Sequence, residues 1–207
     1  MSIVLHYAPQ SRAAMTVWAL EELGAPYEKV HYELMKGEHK TDAFKKLNPN
    51  CKVPTVVIDG TPMFESLAIL LYLGERYGVE KKLYPGPTEP ARMEALSWAT
   101  WATVTFGGDI QRFIEASHER IPKERHNAAQ AAAARTDIER DVGILEERMA
   151  TRKFILGESF SLPDIAFGGA LRYVSLLGAL DLARYPNVSA YQARLSSRAA
   201  FAKSTAA

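Results

Sequence analysis

Apolar and polar positions follow two different rhythms along this chain, and the change falls near residue 85. Ile3 to Tyr7 is a short apolar run that reads as a buried strand, broken by Ala8-Pro9-Gln10-Ser11. A helical run begins at Arg12, carries Met15, Trp18, Leu20 and Leu23, and stops at Gly24, a residue suited to a left-handed helix end. From Tyr27 to Leu34 the residues Val30, Tyr32 and Leu34 recur at period two, with Glu33 off that face, which predicts a half-buried strand. After the polar segment Lys36 to Lys46, two apolar runs, Val53 to Ile58 and Thr61 to Phe64, flank Asp59-Gly60, a dipeptide that favours a tight hairpin turn. Leu67 to Leu73 then reads as a buried helix with Gly78 beyond it. The predicted order is β-α-β followed by β-β-α.

Beyond this point no strand pattern returns. The stretch Lys81 to Pro90, with Pro85-Gly86-Pro87, reads as a linker between a first domain at 1–80 and an all-helical domain at 91–207. Helices are predicted over Ala91 to Phe106, Ile110 to His118, Asn127 to Met149, Pro163 to Leu177 and Tyr185 to Arg198. The alanine-rich tract after Asn127 is low in complexity, but alanine is the best helix former, so it is assigned to a helix.

Composition narrows the functional classes. The chain has 207 residues, 47% of them hydrophobic, enough to bury a core. Lys and Arg number 25 against 24 Asp and Glu, so no net field draws the chain to nucleic acid or to anionic lipid, and neither is expected as a partner. No apolar stretch is long enough to span a bilayer. Cys51 is the only cysteine, which excludes an internal disulfide and a paired-cysteine redox or zinc motif, and fits a cytoplasmic location. His6, His31, His39, His118 and His126 show no metal-ligand spacing, so no metal is expected.

Four local features carry chemistry, and each also serves an ordinary structural purpose. Pro54 cannot donate to a sheet and belongs at a strand's start; a cis Val53-Pro54 bond would leave Val53 main-chain groups free for a ligand's backbone. Glu65-Ser66 at a helix start can cap the helix, or hold the ammonium and carboxylate of an amino acid. Ser11, at the first strand-to-helix turn, can cap its helix or donate to a thiolate and lower the thiol's pKa. Ser161-Leu162-Pro163-Asp164 reads as a capping box that nucleates a core helix. Trp98, Trp101 and Phe106 lie on one predicted helix, where they can line a pocket, form a subunit interface or pack the core.

The order Tyr7-Ala8-Pro9-Gln10-Ser11-Arg12, Asn48-Pro49-Asn50-Cys51-Lys52-Val53-Pro54, Glu65-Ser66-Leu67-Ala68-Ile69 and Phe160-Ser161-Leu162-Pro163-Asp164-Ile165 resembles the cytosolic glutathione S-transferase family over nearly the whole chain. The resemblance implies an α/β thioredoxin-like N-terminal domain, an all-α C-terminal bundle, glutathione as co-substrate, a hydrophobic electrophile as second substrate, and a homodimer with the Ala91 to Phe106 helix at its interface. It assigns the cysteinyl backbone of glutathione to Val53 and Pro54, and its γ-glutamyl end to Glu65 and Ser66. Lys52 and His39 are candidates for the glycyl carboxylate. Family members stabilise the thiolate with a tyrosine on the first strand, or a serine or cysteine at the first turn; this chain offers Tyr7 and Ser11. Ser11 is favoured, because a helix start adds a favourable dipole whereas the pleat fixes the direction of a strand residue. The absence of a cysteine there argues against glutaredoxin-like thiol transfer. The rival expectation is a non-catalytic module of the same fold.

Overall fold

The computed structural model describes residues 2–206, which divide into two compact units. The first runs to Pro87 and takes back the C-terminal segment from Ser197; the second holds Thr88–Ser196.

In the first unit, β1 (Ile3–Tyr7), α1 (Ala13–Leu23), β2 (Glu28–His31), α2 (Asp42–Leu47), β3 (Thr55–Ile58), β4 (Thr61–Phe64) and α3 (Ser66–Leu73) follow the predicted β-α-β, β-β-α order. The sheet is ordered β2-β1-β3-β4, with β1 and β2 parallel and the other pairs antiparallel. One face buries Ile3, Leu5, Val56 and Ile58, and α1 and α3 pack against each other. On the other face His6 meets Phe44 of α2 edge-on and shares a 2.9 Å hydrogen bond with the Tyr32 hydroxyl. Asp59 and Gly60 both adopt positive φ, 48° and 82°, as the tight β3-β4 turn requires.

Three expectations change here. β2 is shorter than Tyr27 to Leu34, and it is exposed, with Val30 38% accessible; it is an edge strand with one neighbour. The segment Lys36 to Lys46 contains α2, whose Thr41 accepts from the Phe44 N–H as N-cap; Phe44 is its single buried residue, too little to create a periodic signal. Finally, α9 (Ala199–Thr205) packs on α1 rather than closing the helical domain. Phe201 lies edge-to-face with Trp18 at 5.0 Å, Arg198 Nη2 donates to Glu22 at 2.8 Å, and Lys203 pairs with Glu21 at 2.7 Å. Trp18 also donates to Glu22, so one carboxylate ties α1 to α9.

The second unit contains α4 (Ala91–Thr100), α5 (Gly107–Ser117), α6 (Ala128–Met149), α7 (Pro163–Leu176) and α8 (Pro186–Ser196). The helices predicted to break between Phe106 and Ile110 are continuous: a π-helical turn, Trp101–Phe106, joins α4 to α5, and Gly107 keeps helical angles of −63° and −29°. Trp98 and Trp101 pack within the unit. Trp101 stacks on Phe167 of α7 at 5.8 Å, Trp98 meets Trp101 edge-on at 5.6 Å, and the Arg148 guanidinium lies 4.2 Å from the Trp98 ring centre. Asn127 caps α6 by accepting from the Gln130 N–H. The expected capping box at α7 differs in detail. Asp164 accepts from the Ser161 N–H, but the Ser161 hydroxyl donates to that carboxylate instead of accepting from the helix. Asp164 also accepts from the Ile155 N–H at 2.8 Å and the Tyr191 hydroxyl at 2.6 Å; burial pushes its pKa up, against these four donors.

Where α5 meets α6, two buried carboxylates, Asp109 and Asp141, share Arg140, while Arg112 and Arg140 both pair with Asp137. Three acids face two guanidinium groups. Burial, and then the neighbouring Asp109, push the Asp141 carboxyl up to about 6 against the pull of Arg140. The folded state therefore holds a proton that the unfolded chain releases near pH 4, so this group stabilises at low pH and its contribution is lost as pH rises through about 6. Asp141→Asn, which keeps the shape without titrating, is expected to flatten the fall in urea midpoint between roughly pH 4 and 6. An unchanged pH slope in the variant contradicts this.

Candidate functional site

Three strand ends meet at one end of the sheet. The registers pair His6 with Thr55 and Thr55 with Phe64, so the turn after β1, the loop before β3 and the start of α3 after β4 lie side by side. The ladder stops there because the next β3-side residue is Pro54, buried and joined to Val53 by a cis peptide. Among the described residues neither the N–H nor the C=O of Val53 has a main-chain partner. A strand-like ligand backbone can bond there without displacing any existing bond.

The loop is fixed from behind. Buried Asn48 donates to the Lys52 carbonyl at 2.8 Å and to Thr55 Oγ1 at 3.0 Å, and accepts from the Asn50 N–H at 2.9 Å; the Thr55 hydroxyl donates to the same Lys52 carbonyl. Cys51 sits in this turn at φ 50° as a free, half-buried thiol. No role for Asn48 was read from the sequence, although an Asn-Pro pair ahead of a Val-Pro strand start is the signal that could have found it.

Across the site Glu65 holds φ 69° and ψ 115°, a conformation that strains a non-glycine residue by about 1–3 kcal/mol, and its side chain is exposed. Ser66, the first residue of α3, is only 6% exposed, yet none of the hydrogen bonds of the described residues engages its Oγ. The hydroxyl does not serve as the helix cap. Arg12, Lys52 and Glu65 are all exposed, and no ion pair of the described residues involves them.

The two candidate thiolate donors are arranged differently. Ser11 closes its own turn: its hydroxyl donates to the Ala8 carbonyl at 2.7 Å and accepts from the Ala13 N–H at 3.1 Å. Tyr7 is 8% exposed, and its ring packs toward β2, 5.3 Å from Lys29 Nζ and 6.3 Å from the His31 ring. His39 lies in the single helical turn Glu38–Lys40 on the way to α2, with Nδ1 buried and unpartnered; no hydrogen bond of the described residues ties it to the other candidates. Among the described residues no cluster of three metal-ligating side chains occurs, and no helix is long and apolar enough to cross a membrane.

Comparison with known proteins bears on these same elements. The model for the glutathione S-transferase N-terminal domain matches residues 2–75, and that for the C-terminal domain matches residues 128–194. Glutathione S-transferase 3 of Schizosaccharomyces pombe is 30% identical over 78% of this chain and 70% of its own length. The disulfide-bond oxidoreductase YfcG of Escherichia coli is 29% identical over 96% of this chain and 92% of its own. For the first four curated relatives the match spans 57% to 66% of their length. A solved glutathione transferase from Burkholderia graminis, with two glutathione molecules bound per subunit, superposes with a TM-score of 0.86 at 27% identity, covering 99% of this chain and 87% of that one. A chain that matches both domain models in order, and a relative at that identity over most of both lengths, belongs to the glutathione S-transferase family.

Proposed function

We propose that this protein is a glutathione transferase that uses the bound thiolate to attack small electrophiles. The observation that carries the reading is the set of unsatisfied groups at one sheet end: the Val53 main chain, the Ser66 hydroxyl, and the unpaired charges of Glu65, Lys52 and Arg12. Glutathione is an extended peptide with one ammonium and two carboxylates. Val53 pairs with its cysteinyl backbone beside Pro54, Glu65 takes the ammonium, Ser66 donates to the γ-glutamyl carboxylate, and Lys52 with His39 takes the glycyl carboxylate. The thiol then lies at the turn between β1 and α1, which Ser11 closes. There the sulfur is ionised, and the thiolate forms a bond to an electrophilic carbon as a leaving group departs or a strained ring or multiple bond opens. With a peroxide it attacks an oxygen and releases an alcohol, and a second glutathione converts the sulfenic acid so formed to oxidised glutathione and water. The protein works in the cytoplasm as a homodimer, with the exposed Met93 and Val104 of the α4 helix and its π-helical extension in the subunit interface.

The E. coli relative supports a second reading, glutathione-dependent disulfide reduction. The lack of a cysteine at the turn is no obstacle, because glutathione supplies the attacking thiolate: one glutathione forms a mixed disulfide, and a second releases the product as a thiol with oxidised glutathione. Product analysis with haloarenes, epoxides, isothiocyanates, hydroperoxides and a small disulfide separates the readings. Glutathione binding with no turnover on any of them leaves the non-catalytic module.

Calorimetry is expected to show saturable glutathione binding below millimolar concentration, and its absence rejects the site. Ser66→Ala is expected to weaken binding by roughly 1–3 kcal/mol while leaving thermal stability within about 0.5 kcal/mol, because the hydroxyl has no partner within the chain. Sedimentation is expected to give the mass of two chains at micromolar concentration, and Met93→Asp that of one.

A further inference from the structure

The glutathione reading leaves open which group holds the sulfur as its anion, and the turn between β1 and α1 narrows the choice. A serine hydroxyl has one proton, and in Ser11 that proton goes to the Ala8 carbonyl at 2.7 Å while a lone pair accepts from the Ala13 N–H. To donate to sulfur Ser11 must give up the Ala8 bond and leave that carbonyl without its donor. The Tyr7 ring packs on the β2 side of the sheet, beside Lys29 and His31, whereas Val53 and Ser66 lie on the β3 and β4 side. Both hydroxyl candidates are therefore poorly disposed toward the sulfur.

The next residue is Arg12. It is exposed, stands immediately before the first residue of α1, and takes part in no hydrogen bond or ion pair of its side chain with the described residues. The other charged or titratable side chains near this end are Lys52 before β3, Glu65 before α3, and Lys29 and His31 of β2 beside Tyr7. Neither an internal carboxylate nor a second turn residue neutralises Arg12.

We infer that Arg12 holds the sulfur of bound glutathione as the thiolate, and that Ser11 is the positioning residue that shapes the turn. This rests on the glutathione reading above. A guanidinium is a planar cation with several donors, and an opposite charge within a few ångströms lowers an acid's pKa by roughly one to three units. On binding, the thiol releases its proton to solvent, and the sulfur keeps the electron pair that later forms the bond to the electrophile.

The test is the ultraviolet titration of the thiolate of glutathione bound to the full chain, with proton release measured by calorimetry in buffers of different ionisation enthalpy. Arg12→Ala is expected to reduce the thiolate fraction near neutral pH roughly ten- to hundredfold, to abolish proton release on binding, and to leave glutathione affinity at acidic pH, where the thiol is neutral, within about twofold. Arg12→Lys restores part of the thiolate. Ser11→Ala changes the thiolate fraction less than Arg12→Ala does, but lowers the thermal midpoint, since it opens the turn. A normal titration in Arg12→Ala, or a larger loss in Ser11→Ala than in Arg12→Ala, overturns the assignment. Wild-type binding with a thiol that titrates as in free glutathione sinks this inference alone, whereas no wild-type binding at all sinks the glutathione reading with it.

Discussion

A sheet must end somewhere, and where it ends its main-chain groups need partners. Here the ending is set by Pro54, which cannot donate to the ladder, and the Val53 main chain before it is left without a main-chain partner among the described residues. The rest of the site follows from that stop. The β1-α1 turn and the β4-α3 junction flank the same end because the registers put them there, so groups far apart in sequence become neighbours without any dedicated contact between them. Asn48 and Thr55 then hold the loop through the Lys52 carbonyl, which leaves the outward side of the loop for a ligand.

Polarity at this end is arranged by what is left unsatisfied rather than by what is bonded. Elsewhere the half-buried and buried charges are paired, as Glu22 is with Arg198, Asp109 and Asp137 with Arg112 and Arg140, and Glu94 with Arg148. Against that background the exposed Arg12, Lys52 and Glu65 carry one net positive charge, complementary to a peptide whose two carboxylates outnumber its ammonium. The unusual backbone of Glu65 belongs to the same arrangement, since a strained residue persists only where the surrounding fold imposes it.

Much of the first unit was legible because its signals are local. Asp59-Gly60 names its own turn, Gly24 its own helix end, and Val53-Pro54 the point where the β3 ladder stops. What was not legible depends on partners remote in sequence. Nothing near Phe201 says that it will meet Trp18, and Arg198 lies 176 residues from Glu22. Trp98 of α4 and Trp101 of its π-helical extension had three plausible destinations until Phe167 supplied the ring they pack on. α2 escaped notice because one phenylalanine has no period. In the site itself the motif residues could be read, but the bond that closes Ser11 onto Ala8 could not: it depends on the left-handed Gln10, at φ 53°, between them.

The return of α9 to α1 has a consequence for the order in which the protein is made. Sheet and site residues leave the ribosome within the first 87 positions, but the helix that covers Trp18 and neutralises Glu21 and Glu22 is translated only after the whole of Thr88–Ser196. During elongation the nascent first unit therefore carries an uncovered aromatic and two unpaired acids on α1, and closing it means joining ends across a long intervening segment, an entropic cost that grows only slowly with length. A chain interrupted before Arg198 has all four strands and α1 but not the segment that packs against α1.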